Sequence, residues 1–266
     1  MAIERRELSQ FLVTAIRLQC EAGAAVLPFF RSGGIIEDKR PQGPFDPVTE
    51  ADREAERIIR AGIEREFPAH GILGEEFGHR PGNGLTWVID PIDGTRAFMT
   101  GMLHWGILLA LFDGEKPVLG VMHQPFTDET FFGTNDGAWY RRAGEERRLQ
   151  ARACTALEEA VLATTSPKLF DGPDELGAFE RLEGAVKLSR YGTDCYGYAM
   201  LAMGFVDLVV ESGLKPYDIQ ALIPIIRGAG GVVSTATGGD PSLGGFIVAA
   251  GTKELHERAL RCMMGS

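Results

Sequence analysis

The sequence predicts an α/β fold of the α+β kind, with helices and mixed strands along one chain. Three observations predict it: apolar residues at helical spacing in about the first thirty positions, a run of short strand patterns from Gly71 to Arg148, and a regular strand–helix alternation after Ala160. Leu8, Phe11, Leu12, Ala15, Ile16, Ala22, Ala25, Val26 and Phe29 recur every three or four residues, giving a core-facing helix that ends near Pro28 or Gly33. A second helix is expected from about Thr49 to Phe67, with Thr49 as N-cap and Asp52 at the capping-box position. The preceding loop, Gly43-Pro44-Phe45-Asp46-Pro47, delivers Asp46 to that helix start.

Strands follow at Gly71 to Leu73, Thr86 to Asp90, Gly106 to Phe112 and Val118 to His123. A turn-punctuated β stretch then runs from Phe131 to Arg148, where Asn135-Asp136-Gly137 signals a hairpin. Beyond it come a strand near Ala160 to Thr164, a helix near Glu175 to Leu182, a strand at Ala185 to Arg190 and a helix at Cys195 to Met203. A strand Val206 to Glu211, a helix Pro216 to Ala229, two more strands and a last helix from Lys253 complete the chain, with Gly228-Ala229-Gly230-Gly231 as a helix C-cap and turn. No repeat, low-complexity tract or flexible linker interrupts these elements. The expectation is a single domain over 1–266 with two tightly packed lobes, about 1–150 and about 151–266.

With 44% apolar and 24% charged residues, the 266-residue chain has the composition of an ordinary soluble globular enzyme. Its 27 basic and 37 acidic residues give a formal charge of -10, which argues against broad binding to nucleic acid or anionic membranes. Bound cations would offset part of that charge. Cys20, Cys154, Cys195 and Cys262 lie far apart with no C-x-x-C pair, so neither a disulfide framework nor a zinc ribbon is suggested. The N-terminus carries Glu4, Arg5, Arg6 and Glu7 and then an amphipathic segment, and no run approaches the ~20 apolar residues of a membrane span. The expected location is the cytoplasm.

Chemistry concentrates at element ends. Four short segments place acidic groups there: Asp46 and Thr49 in FDPVTEAD, Glu75 and Glu76 in ILGEEFG, Asp90 and Asp93 in IDPIDGT, and Asp218 in LKPYDIQ. Taken singly, each has an ordinary structural role: Asp46 as a turn residue, Thr49 with Asp52 as a capping box, Glu75 and Glu76 as solvated loop charges, and Asp218 as a helix-dipole partner after Pro216. The run Trp87-Val88-Ile89-Asp90-Pro91-Ile92-Asp93-Gly94-Thr95 resists that reading, because it drives an apolar strand into carboxylates that are costly to bury unless paired or metal-bound. Gly94 and Thr95 then open a helix whose free N–H groups suit an anion such as phosphate. Carboxylates beside a phosphate repel it unless a divalent cation lies between them, and oxygen ligands without His or Cys select Mg²⁺ over zinc.

Other chemistries lack their residues. The aspartates are three apart, unlike the D-x-D arrangement of aspartyl-phosphate enzymes, and no G-x-S-x-G, H-E-x-x-H or G-x-x-x-x-G-K-[ST] motif occurs.

With GEE, then WVIDPIDGT, then a late aspartate at a helix start, the chain resembles the inositol monophosphatase superfamily of magnesium-dependent, lithium-sensitive phosphatases, in segments from Asp46 to about Gly231. The resemblance implies a layered α-β-α-β-α sandwich, commonly a homodimer, with metal ligation by Glu75, Asp90, the Ile92 carbonyl, Asp93 and Asp218. It also implies that Asp46 and Thr49 help activate the attacking water, with roughly two or three magnesium ions per site and inhibition by lithium. HWGILLAL from His104, GTDCYGY from Gly192, and Glu211 through Leu214-Lys215-Pro216-Tyr217-Asp218 resemble the histidinol-phosphate phosphatase branch, and Tyr217 replaces the tryptophan usual in inositol-type members. The spacing and extra prolines of DKRPQGPFDPVTEAD depart from commoner family versions and leave Lys39 without a role.

A substrate carrying an ammonium and an imidazole favours extra carboxylates, which Asp194 and Glu211 supply; their ordinary alternatives are a helix N-cap and a solvated strand end. Inositol-type members also use an acid at the Glu211 position, so Asp194 carries more of the distinction. The expected reaction is direct in-line hydrolysis of a phosphate monoester, L-histidinol phosphate in histidine biosynthesis, without a phosphoenzyme. In it, Glu75, Asp90, Asp93 and Asp218 hold magnesium, Asp93, Gly94 and Thr95 receive the phosphate, Asp46, Thr49, Glu75 and Thr95 serve the water, and Arg190, Asp194 and Glu211 hold the alcohol part. Two rivals stand beside it: an inositol-1-phosphate or broad sugar-phosphate phosphatase, and a regulatory binding protein on the same fold. The expected partners are a small-molecule phosphate monoester and a second copy of the chain, with no nucleic acid and no membrane.

Overall fold

A computed structural model of the protein describes residues 3–32, 36–38 and 47–265. Helix α1 (Arg5–Val26) is followed by the antiparallel pair β1 (Ile36–Asp38) and β2 (Pro47–Thr49), then α2 (Glu50–Glu66). The Thr49 N–H and hydroxyl both donate to the Asp52 carboxylate, at 2.8 and 2.6 Å, so the capping box read in the sequence is formed. Next come β3 (Gly71–Gly74), β4 (Gly78–Arg80), β5 (Thr86–Asp93), the short α3 (Thr95–Met99), β6 (Gly106–Phe112), β7 (Pro117–Gln124), β8 (Glu129–Thr134), β9 (Gly137–Arg142) and β10 (Glu145–Arg148). These strands form one eight-stranded sheet in the order β10-β9-β8-β7-β6-β5-β3-β4, and Asn135-Asp136 turns β8 into β9.

The second half contributes β11 (Val161–Thr164), α4 (Gly172–Glu183), β12 (Leu188–Tyr191), α5 (Asp194–Ala202), β13 (Leu208–Leu214), α6 (Pro216–Ile219), α7 (Leu222–Gly228), β14 (Val232–Thr235), β15 (Gly245–Ala250) and α8 (Lys253–Met264). Its five-stranded sheet runs β12-β11-β13-β15-β14, with β11 parallel to both β12 and β13.

Period-two alternation in the strands sorts side chains into layers. On β5 and β6, Trp87, Ile89, Ile107, Leu109 and Leu111 face α1 and α2, whereas Val88, Leu108 and Ala110 join the core around α5 and α7. On β13 and β15, Val209, Ile247 and Ala249 enter that same middle core, and Leu208, Val210, Val248 and Ala250 enter a third core with α4 and α8. The result is the expected order of layers: α1 and α2, the large sheet, α5 to α7, the smaller sheet, then α4 and α8.

Two expectations are corrected. The single helix expected over Pro216 to Ala229 is two, α6 and α7, separated at Gln220 and Ala221. Pro224 is the cause, since it has no N–H and its ring clashes with the carbonyl four residues back, so it fits only in the first turn of a new helix. Contrary to the reading that no segment is apolar enough for a membrane span, Arg5–Phe29 is long and apolar enough by length and composition, although half of its apolar window is buried within the protein. Phe11, Ala15, Leu18, Ala22 and Val26 of this helix pack on α2 and the sheet, as a core helix does.

Candidate functional site

In a regular strand, residues three apart point to opposite faces, so Asp90 and Asp93 would diverge. The pairing of β5 with β6 shifts register between them: Asp90 lies opposite Leu108 and Asp93 opposite Gly106. Three steps on one strand thus face two on the other. Pro91, which has no N–H for the ladder, sits inside this bulge. The bulge brings the two carboxylates together with that of Asp218 on α6, and one oxygen from each lies within 4.8 Å of the others.

Backbone N–H groups aim all three. Asp90 accepts from Ile92 at 3.1 Å, Asp93 from Cys195 at 2.7 Å and Asp218 from Lys215 at 2.6 Å. They border a cavity of about 400 Å³ that Glu75, Ile92, Gly94 and Thr95 also line. Burial pushes the Asp93 carboxyl up to about 7, with Asp218 adding repulsion, and burial with Glu75 nearby raises Asp90 well above the usual carboxylate range. Asp218 is likewise raised to about 7 by burial. Such a cluster binds protons tightly unless a cation replaces them. Its donors are hard oxygens, and among the described residues no histidine or cysteine lines the cavity, so the residues fit a magnesium-type ion.

Gly94 stands at φ 82°, and a Cβ there would meet the His104 carbonyl at 2.6 Å, so only glycine makes this turn without strain. Helix α3 behind it has five residues. The Thr95 hydroxyl donates to the Ile92 carbonyl at 3.0 Å.

The cavity also contains Asp194 and Glu211. Glu211 is buried in the middle of β13, which continues to Leu214 past the strand end expected from sequence, and accepts the Thr165 N–H at 2.9 Å and the Thr165 hydroxyl. That hydroxyl in turn accepts the Asp194 N–H at 3.0 Å, linking the two acidic residues. Asp194 begins α5, rather than capping it from outside, at φ 43°, an uncommon backbone conformation for a non-glycine residue. Burial raises Glu211 to about 8 and Asp194 to about 7, the latter partly offset by Arg96.

Two sequence expectations, Thr49 and Arg190, land elsewhere, and a third is not described. Asp46 lies outside the described residues, as does Lys39. Thr49 is not among the cavity-lining residues, because its hydroxyl is turned into the helix cap. Arg190 is exposed on β12, the edge strand of the smaller sheet, and is not among the cavity-lining residues; among the described residues, Arg96 and Lys215 are the basic ones that line it. Sequence reading missed Arg96, Lys215, Thr165 and Asp52. Arg96 directly follows Gly94-Thr95, Lys215 precedes Asp218 by three, and Thr165 ends a strand, so all three flanked recognised signals. Asp52, buried and raised to about 7 chiefly by burial, was visible only as a cap.

Comparison with known proteins gives concordant matches. The profile of the inositol monophosphatase family matches residues 7–263. The chloroplastic bifunctional phosphatase IMPL2 of Arabidopsis thaliana is 40% identical over 97% of this chain and 76% of its own length. A histidinol-phosphatase of Chlorobaculum parvum is 34% identical over 83% of each chain. Among solved structures, an inositol monophosphatase from Zymomonas mobilis superposes with a TM-score of 0.85 at 40% identity, covering 96% of this chain and 98% of its own.

Proposed function

The chain belongs to the inositol monophosphatase family of metal-dependent phosphatases, and on that premise we propose that it hydrolyses L-histidinol phosphate to L-histidinol and phosphate with magnesium. The observation that carries the substrate is the pair Asp194 and Glu211, which line the same cavity as the acidic trio and meet at the Thr165 hydroxyl, Glu211 through its carboxylate and Asp194 through its backbone N–H. A polyol needs hydrogen bonds more than charge. An ammonium beside these groups lowers their pKa values and ionises them, so a cationic alcohol part and the two carboxyls stabilise each other.

Magnesium, when bound, supplies positive charge to the phosphate and acidifies a water. Glu75, Asp90, Asp93, Asp218 and the Ile92 carbonyl are the groups to hold it. The three backbone N–H contacts keep the aspartates in place before any ligand arrives, which limits the reorganisation left to the reaction. The water oxygen attacks phosphorus, the ester P–O bond breaks in line, and the departing alkoxide takes a proton from a solvent water. Thr95, already donating to Ile92, accepts a hydrogen bond from that water, and Glu75 borders the same space to receive its proton. Arg96 and Lys215 counter the phosphate charge at the cavity wall.

The test is phosphate release from L-histidinol phosphate and from myo-inositol 1-phosphate, with magnesium and with EDTA. A magnesium-dependent preference for the first is expected. Asp194→Asn should lower kcat/KM for histidinol phosphate by roughly 10- to 100-fold, and change that for inositol phosphate much less. Equal losses on both substrates would refute the assignment of Asp194 to the ammonium. The 40% identity to the Zymomonas mobilis enzyme supports inositol phosphate as the second reading, and comparable rates on both substrates would favour it.

A further inference from the structure

Glu56 sits inside α2, fully buried and outside the lining of the cavity. Its carboxylate nevertheless grips the loop that presents Glu75. One oxygen accepts the Glu76 N–H at 2.7 Å; the other accepts the Phe77 N–H at 3.2 Å and the Arg60 Nε–H at 2.6 Å. Arg60 reaches on to the Gly78 carbonyl, closing the contact around the turn. On the near side, a Cβ at Gly74 would lie 1.9 Å from a Glu56 oxygen, so the backbone before Glu75 rests directly on this carboxylate. Glu75 therefore lies between Gly74, against which this buried side chain packs, and Glu76, whose N–H it accepts. A buried carboxylate is costly unless its acceptor sites are filled, and here the loop N–H groups and Arg60 fill them.

We propose that Glu56 is a positioning residue for Glu75: through the 74–77 backbone it sets the direction of the Glu75 carboxylate toward Asp90, and so sets the affinity for magnesium without touching metal or substrate. This rests on the reading above that Glu75 and the aspartates hold the ion. In Glu56→Gln, one polar end becomes an amide N–H₂ that must face either the Glu76 N–H or the Phe77 N–H together with Arg60, donor against donor in both cases. The grip loosens, and Glu75 samples orientations in which it does not converge with Asp90.

The experiment is calorimetric titration of Mg²⁺ into EDTA-stripped protein, with circular dichroism and the EDTA-form Tm recorded on the same samples. For Glu56→Gln the Mg²⁺ Kd is expected to rise about tenfold, in the range of outer ligand supports elsewhere. Arg60→Met keeps the carboxylate and removes its ion pair, so a smaller rise of about threefold is expected. A purely structural Glu56 would lower the EDTA-form Tm and leave Kd unchanged in both variants, which would overturn the proposal. If Glu56→Gln does not fold, Arg60→Met decides alone, an unchanged Kd again being the refuting result. Wild-type protein that binds no Mg²⁺ would overturn the metal reading itself, a failure visible before any variant is made.

Discussion

Asp93→Asn is expected to lower kcat/KM by on the order of a thousandfold, about 4 kcal/mol of transition-state stabilisation, while the protein folds normally. The carboxylate lies at the convergence of Asp90 and Asp218, so the amide removes a negative charge where the cation must sit. It does not remove the hydrogen bond. Asparagine keeps a carbonyl oxygen to accept the Cys195 N–H, and the link between β5 and α5 survives. Replacing a charge that burial and Asp218 both disfavour should also leave the EDTA form at least as stable as wild type. The expected pattern is a lost magnesium-dependent rise in Tm, an unchanged or higher Tm in EDTA, and turnover near background. Near-wild-type turnover would remove Asp93 from the mechanism.

The second large effect is on the pH dependence of stability. Asp93, Asp218 and Asp194 titrate near 7 in the folded protein, Glu211 near 8, and Asp90 is raised as well, whereas ordinary carboxyls in the unfolded chain titrate around 4. Between those values the metal-free folded state binds more protons than the unfolded state, so its stability falls as pH rises. The contribution of these groups is fully present below about pH 4 and is lost as pH rises through about 7 for Asp93, Asp218 and Asp194 and about 8 for Glu211. Magnesium binds the ionised cluster and reverses the trend. The Tm difference between saturating Mg²⁺ and EDTA should therefore be small at about pH 5 and large at about pH 8, measured in buffers of constant ionic strength. An equal difference at both pH values would show that the carboxyls are ionised without metal and that repulsion among them is not what the ion relieves.

Much of the site was legible from residue order because its parts are short and local. Glu75, Asp90, Ile92, Asp93, Gly94, Thr95, Asp194, Glu211 and Asp218 all line one cavity, drawn from three of the four acidic segments and two subgroup marks. Arg190 was misplaced because a basic residue at a strand end gives no indication of which sheet edge the strand will occupy. Thr165 was overlooked for the converse reason. Its importance comes from the parallel register of β11 on β13, which sets it beside Glu211, 46 residues away in sequence.

Residue order alone set which element faces are buried and the chemical type of the site, since period-two and helical spacing dictate the buried faces and a bundle of carboxylates without histidine or cysteine demands a hard cation; the order of the layers came only with the family resemblance. Tertiary structure decided the rest. The bulge at Pro91 turned a three-residue spacing into convergence, and the Glu56 carboxylate came to hold a loop some twenty residues away. Each of these depends on distances between residues remote in the chain, which local propensity does not encode and only packing of the assembled layers fixes.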